Sequence, residues 1–273
     1  MNARTRRFVM RLIACGLVLF SVPAWSQVVV SVSGNQAVAD INLLGASADF
    51  TLTFEQPQNL SVGSLGLSAR LINPLDPALV ARLPDSRLGV PVGLPLLITV
   101  DPPVSGGLAF RDVVEVDLHT HMLPFTVDTP LRLYRAHGGG QFYDITSDVL
   151  KGSVRTRGRT GDFSEFLILV DLIPLPESAA DRYEYLEQSV LAVANSTVRT
   201  QLQADLAASE SAFEAGDYAG ARAALAAFET RVRNNAGITI PNRWRAARDL
   251  QNVAGDLLTE AGSLNYLLTR LGG

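Results

Sequence analysis

Glu115, Asp117, His119 and His121 occupy every second position of one short segment. If that segment is a strand, all four share one face, opposite Val114, Val116, Leu118 and Met122, because side chains two apart point the same way. A His-x-His pair so placed can hold two corners of a metal site, with a carboxylate to help. Alternate side chains on a strand stand about 6–7 Å apart, so a third ligand must come from a neighbouring strand. His137 and the scattered acids are the candidates. The same alternation also describes a half-buried strand that shows its polar face to water.

Arg155, Arg157 and Arg159 alternate in the same manner beside Lys151, the chain's single lysine. They form a basic stripe suited to an acidic partner or an anionic polysaccharide. Charges on an exposed edge strand would equally serve to block edge-to-edge pairing. His137-Gly138-Gly139-Gly140 has the letters of an oxyanion-hole loop, but the chain has no Gly-x-Ser-x-Gly elbow to supply the serine. A hairpin turn that needs positive φ angles explains the glycines. Trp244 stands among Arg243, Arg245 and Arg248 and suits an anchor near the start of a helix. Glu184, Glu187, Glu210 and Glu214 fall at helical spacings on polar faces. Phosphate loops, EF-hand loops and His-Glu-x-x-His are absent beyond residue 26.

Two kinds of element must position these groups. From residue 27 to 175 the pattern is strand-like. Asp49-Phe50-Thr51-Leu52-Thr53-Phe54-Glu55 alternates strictly, and similar runs fall near 28–32, 65–71, 94–100, 114–122, 131–134, 141–145, 154–157 and 166–170. Turn clusters such as Asn73-Pro74 and Asp101-Pro102-Pro103 separate them. Many short strands at this spacing predict an antiparallel β-sandwich, with only 77–83 locally helical. From 177 to 273 the period lengthens to that of helices, at about 177–193, 196–215, 218–237 and 240–271. Gly216 stops one helix and Asp217 caps the next. Short links between amphipathic helices predict an antiparallel bundle of about four. The expected fold is α+β in separate domains, a sandwich at 27–175 and a bundle at 177–273.

The helical half resembles the FIMAH module of exported bacterial proteins. The resemblance rests on Leu206, Phe213-Glu214-Ala215-Gly216-Asp217-Tyr218, Ala221, Leu225 and Phe228, then Gly237-Ile238, Ile240-Pro241, Ala246, Asp249-Leu250 and Ala254. It implies an accessory or interaction role and transfers no catalytic residue. Tyr143-Asp144-Ile145-Thr146, Gly152-Ser153-Val154 and Phe163-Ser164-Glu165-Phe166 look like the last strands of immunoglobulin-like modules in secreted bacterial proteins. Together the two halves are similar to uncharacterised exported bacterial proteins with this two-part layout.

The N-terminus sets the compartment. Arg4, Arg6, Arg7 and Arg11 precede an apolar run at 12–20, Pro23 breaks it, and Ala24-Trp25-Ser26 ends it with small residues. These are the marks of a secretory signal at 1–26, cut before Gln27. Leu12-Ile13-Ala14-Cys15 has the letters of a lipoprotein box, but the apolar core follows the cysteine instead of preceding it. Removing the segment removes the only cysteine, and with it any disulfide or thiolate chemistry. It also moves the net charge from −4 to −8, nineteen bases against 27 acids. So acidic a chain is poorly suited to nucleic acid, whose phosphates call for excess positive charge. No later segment is apolar enough to span a membrane.

The expectation is therefore a protein exported to the periplasm or exterior, needing no cofactor and binding an envelope protein or anionic polysaccharide without catalysis. Two alternatives stand beside it: a metal-dependent hydrolase built on His119 and His121, and a structural envelope component.

Overall fold

The computed structural model describes residues 27–273; the segment read as a secretory signal, with Cys15, lies outside the described residues. β1 (Gln27–Ser33), β2 (Gln36–Leu43) and β3 (Ala46–Gln58) form a meander. α1 (Val62–Leu65), β4 (Leu67–Leu71), α2 (Pro77–Val80), β5 (Leu88–Gly89) and β6 (Leu96–Val100) follow. Next come β7 (Ala109–Pro124), β8 (Leu131–Ala136), β9 (Phe142–Asp144), β10 (Thr146–Leu150), β11 (Ser153–Thr160) and β12 (Glu165–Asp171). Three long helices, α3 (Leu175–Val190), α4 (Ser196–Glu214) and α5 (Tyr218–Asn235), precede a short strand, β13 (Trp244–Arg245), and a last helix, α6 (Val253–Leu271).

The strands make two antiparallel sheets. The first runs β1-β2-β3-β7-β11-β10, with β13 extending the ladder on β7; the second runs β4-β6-β12-β8-β9, with β5 on β12. Alternation dictates which faces meet. On β3, Ala48, Phe50, Leu52 and Phe54 are buried while Asp49, Thr51 and Thr53 point the other way. On β7, Val114, Val116 and Leu118 do the same. These side chains share one core with Ile98, Leu133, Phe166 and Ile168 of the second sheet, and Phe50 meets Phe166 across the gap at 5.4 Å. β12 lies between β6 and β8 and is apolar on both faces, because Leu167 and Leu169 enter a second cluster with Leu79 and Leu88 on the outer side.

Caps fix the helix starts. The Asn195, Asp217 and Asn252 side chains accept from the backbone N–H of Val198, Gly220 and Gly255, satisfying donors that a helix N-terminus leaves free. Gly216, at φ +75°, makes the left-handed stop after α4.

Three expectations change. The stretch 240–252 is not helical: Trp244 is buried with Phe110 and Phe163 in the sandwich core, at 5.3 and 5.2 Å. Burying that indole and pairing β13 with β7 outweighs the local helical pattern, so α6 begins only at Val253. The bundle also does not close on itself. α6 packs against β7, β10 and β11 as well as α3 and α5, and Val113 of β7 belongs to the helical core. Finally, α2 falls in the stretch 77–83 expected to be helical, but α1 was not expected, and both lie interspersed among the strands.

The hinge of this docking is a bulge in β7, where Phe54 faces Val114 but Gln56 faces Arg111. Asp112 sits in it at φ +60°. Its N–H donates to Asn242 Oδ1, its carboxylate accepts from Asn242 and Gln56, and its carbonyl accepts from Asn252. The bulge thus ties sheet, connecting loop and the start of α6 together. Among the described residues, no helix is long and apolar enough to cross a membrane.

Candidate binding cleft on the first sheet

The outer face of the first sheet carries cross-strand rows of polar side chains. Register places Asp49 of β3 opposite His119 of β7, and His119 opposite Arg155 of β11. The next rows are Thr51–Asp117–Arg157 and Thr53–Glu115–Arg159. Sequence reasoning put the acid–histidine run and the arginine stripe in separate sites; pairing of β7 with β11 makes them one surface. β11 lies inside the sheet, between β7 and β10, so the arginines do not guard an edge.

This face is concave because helices wall it. Glu229 of α5, Gly262 and Asn265 of α6, and Ser147 and Asp148 of β10 close a cleft of about 680 Å³ with Asp49, Glu115, Asp117, His119 and the three arginines. Arg159 lies against α6 at Gly262, where an added Cβ would be in ordinary van der Waals contact with its guanidinium at 3.5 Å. The arginines are paired. Arg157 Nε donates to Asp117 Oδ2 at 2.9 Å, Arg155 approaches Asp117 at 3.5 Å, and Arg159 approaches Glu229 at 3.8 Å. Five carboxylates (Asp49, Glu115, Asp117, Asp148 and Glu229) line the cleft against three arginines. Its balance is therefore negative, and the stripe does not form a free basic patch. That argues against the expected anionic polysaccharide.

The third partner of the histidines is Asp49. Its Oδ2 lies 3.5 Å from His119 Nδ1 and 3.2 Å from His121 Nε2. His137, considered from sequence as that third ligand, is elsewhere: it occupies the β8–β9 turn, and its Nδ1 meets Asp162 Oδ2 at 3.0 Å. The three glycines after His137 form that turn, with Gly138 and Gly139 at positive φ and the Gly138 N–H donating to Ser164 Oγ.

Residues 14–272 match the Family of unknown function (DUF6689). The chain belongs to that family. No curated protein matches it. The DUF6689 match covers both sheets and all four C-terminal helices, so sandwich and helices are parts of one family unit.

Sequence reasoning missed a second polar cluster in this DUF6689 chain. Arg135, buried, pairs with Asp162 and donates to Thr160 Oγ1 at 2.8 Å. Asp256 and Glu260 of α6 line the same cavity of about 250 Å³. Burial pushes the carboxyls of Asp162, Asp256 and Glu260 up, Glu260 to about 8, and pushes Arg135 down to about 10. Burial, with Arg135 beside it, also lowers His137. A signal was present in the sequence: Glu260 interrupts the long run 253–268, of which every residue except Asp256 and Asn265 is buried. An acid inside so apolar a helix has to meet a buried polar partner. By contrast Glu184, Glu187 and Glu214 are exposed and Glu210 half-exposed, as their helical spacing predicts.

Proposed function

We propose that the protein is exported to the bacterial periplasm or exterior and acts there as a non-catalytic binding protein whose ligand enters the charged cleft of the first sheet. Export rests on the charged, apolar and small-residue pattern of residues 1–26. The immunoglobulin-like and FIMAH-like readings belong to the same proposal, supported by two antiparallel sheets that share a core and by the capped helices that follow. N-terminal sequencing of protein recovered from a bacterial periplasm is expected to begin at Gln27.

One observation carries the binding role: charges of both signs converge from four adjacent strands and from α5 on a single concavity that α6 also walls. A structural envelope component has no need of such a cleft. Carboxylates in excess accept from hydroxyl and amine groups, and the arginines supply donors, so the ligand class we favour is a neutral or amine-bearing envelope glycan. Calorimetry with neutral, amine-bearing and uronic-acid oligosaccharides is expected to show saturable binding of the first two only. Asp117→Asn and Arg157→Glu are each expected to weaken it at least about tenfold, since each leaves a charge unpaired. Absence of binding to all three classes, or binding indifferent to both substitutions, would overturn the proposal.

A metal-dependent hydrolase is the second reading, favoured by the convergence of Asp49 on His119 and His121. Turnover of an ester or phosphoester that stops on chelation would place it first.

A further inference from the structure

We infer that Asp49, His119 and His121 bind one divalent transition-metal ion, zinc by their ligand chemistry, with an open coordination position facing the cleft. The inference goes beyond the glycan proposal and stands without it, because all the ligand atoms are the protein's own.

Geometry is the first support. One ligand atom from each residue lies within 4.8 Å of the others. Zinc bonds nitrogen and oxygen at about 2.0–2.1 Å, and tetrahedral angles then place ligand atoms about 3.3–3.4 Å apart. The carboxylate–imidazole separations of 3.5 and 3.2 Å bracket that spacing. Register maintains it: Asp49 faces His119 directly across the β3–β7 ladder, and His121 is the next outward side chain on β7. The two rings lie 4.7 Å apart at 63° to each other.

The outer contact of His119 is the second support. Its Nε2 lies 2.6 Å from Ser153 Oγ, on the side away from Asp49. With the Nε2 proton donated to that hydroxyl, the Nδ1 lone pair faces the carboxylate. This is how metal-binding histidines are usually oriented. Ligand type is the third: two imidazoles and one carboxylate suit zinc, nickel, copper or ferrous iron, whereas calcium and magnesium call for oxygen ligands. Three protein ligands leave a fourth tetrahedral position free for water or a ligand group. Asp49 and His119 both line the cleft, which places that position beside Arg155.

The test uses zinc alone on chelator-treated, purified protein. Calorimetry is expected to give one ion per chain, and His121→Ala and Asp49→Asn are each expected to weaken binding at least about tenfold. Glu184→Gln, an exposed α3 carboxylate outside the cleft, is expected to bind as the parent does. The chain has only three histidines, so imidazole NMR gives a positional readout. Zinc should shift two ring systems and leave His137 unchanged, since that ring sits with Asp162 in the β8–β9 turn. A stoichiometry well below one ion per chain would overturn the inference. So would affinity unchanged in both ligand variants, or a shift of His137 in place of the other two. If His121→Ala fails to fold, as judged by circular dichroism, the near-isosteric Asp49→Asn and the NMR readout still decide. Repeating the glycan titrations in chelator separates the outcomes, because the glycan result does not depend on whether zinc binds.

Discussion

Replacing Asn252 tests whether the helices are held to the sheet by the Asp112 bulge. The Asn252 side chain is 2% exposed and makes three contacts at once. Its Oδ1 accepts from Gly255 N–H at 3.0 Å, while its Nδ2 donates to the carbonyls of Asp112 at 2.7 Å and Gly161 at 3.1 Å. Loss of an N-cap costs about 1 kcal/mol. Each buried carbonyl deprived of its donor adds about 1 kcal/mol. Asn252→Ala is therefore expected to lower the unfolding free energy by about 3 kcal/mol, read from the midpoint of urea denaturation followed by far-ultraviolet circular dichroism. Asn252→Asp makes the test sharper. Aspartate caps a helix as well as asparagine does, so capping alone predicts no loss. In this site it would aim a carboxylate at two carbonyl oxygens, and it should destabilise more than alanine. A loss below about 1 kcal/mol in Asn252→Ala, or an Asn252→Asp variant as stable as the parent, would refute the reasoning.

Glu260 supplies a pH dependence. Its Oε1 accepts from Ser189 Oγ at 3.0 Å, and its Oε2 has no hydrogen-bond partner among the described residues. Burial raises the folded carboxyl from 4.5 to about 8, so between those values the folded protein holds a proton that the unfolded chain has released. Stability from this group is thus greatest below about pH 4.5 and declines as pH rises toward about 8. Glu260→Gln should raise stability at pH 8 and flatten that decline, leaving the smaller slope of the same sign from Asp162 and Asp256; an unchanged slope in denaturation midpoints from pH 5 to 8 would contradict it. Gly161 lies against the first turn of α6, where an added Cβ would stand 2.7 Å from the backbone nitrogen of Asp256. Gly161→Ala is expected to cost about 1–3 kcal/mol by forcing α6 outward, and a thermal midpoint equal to the parent's would show that α6 moves without cost.

Periodicity revealed the elements better than their partners. The alternation at 49–55 and 114–121 correctly separated buried from outward side chains, since the inner face of a sandwich selects apolar groups at every second position. The helices at 175–235 were legible from their stripes and caps. β2 was missed because Gln36-Ala37-Val38-Ala39-Asp40 buries alanines, whose small apolar contrast barely registers as alternation. The span 240–252 was misread because Trp244 has one partner set, Phe110 and Phe163, that only the folded chain brings together. The histidine pair was visible from spacing, but Asp49 was not. Nothing local to residue 49 states which strand, in which register, lies beside β7.

The docking of α6 converts an ordinary polar sheet face into a site. Taken alone, the outward rows of β3, β7 and β11 have the composition of a solvent face, and their sequence pattern cannot distinguish the two. The distinction is made at one end of β7. There Val113 points outward into the helical core, and the bulge at Asp112 binds the start of α6. From that anchorage the helix runs along β11 and β10, bringing Gly262 and Asn265 over the arginines and α5 behind them. Asp117, paired with Arg155 and Arg157, and Arg159, paired with Glu229, are half-buried in this cleft, and removing one partner of a desolvated charge pair costs more binding than removing an exposed charge. Weakening the anchor at Asn252 should therefore loosen ligand binding in the cleft even though that residue touches none of its lining. Under conditions where the variant remains folded, an affinity equal to the parent's would separate the cleft from the docking that shapes it.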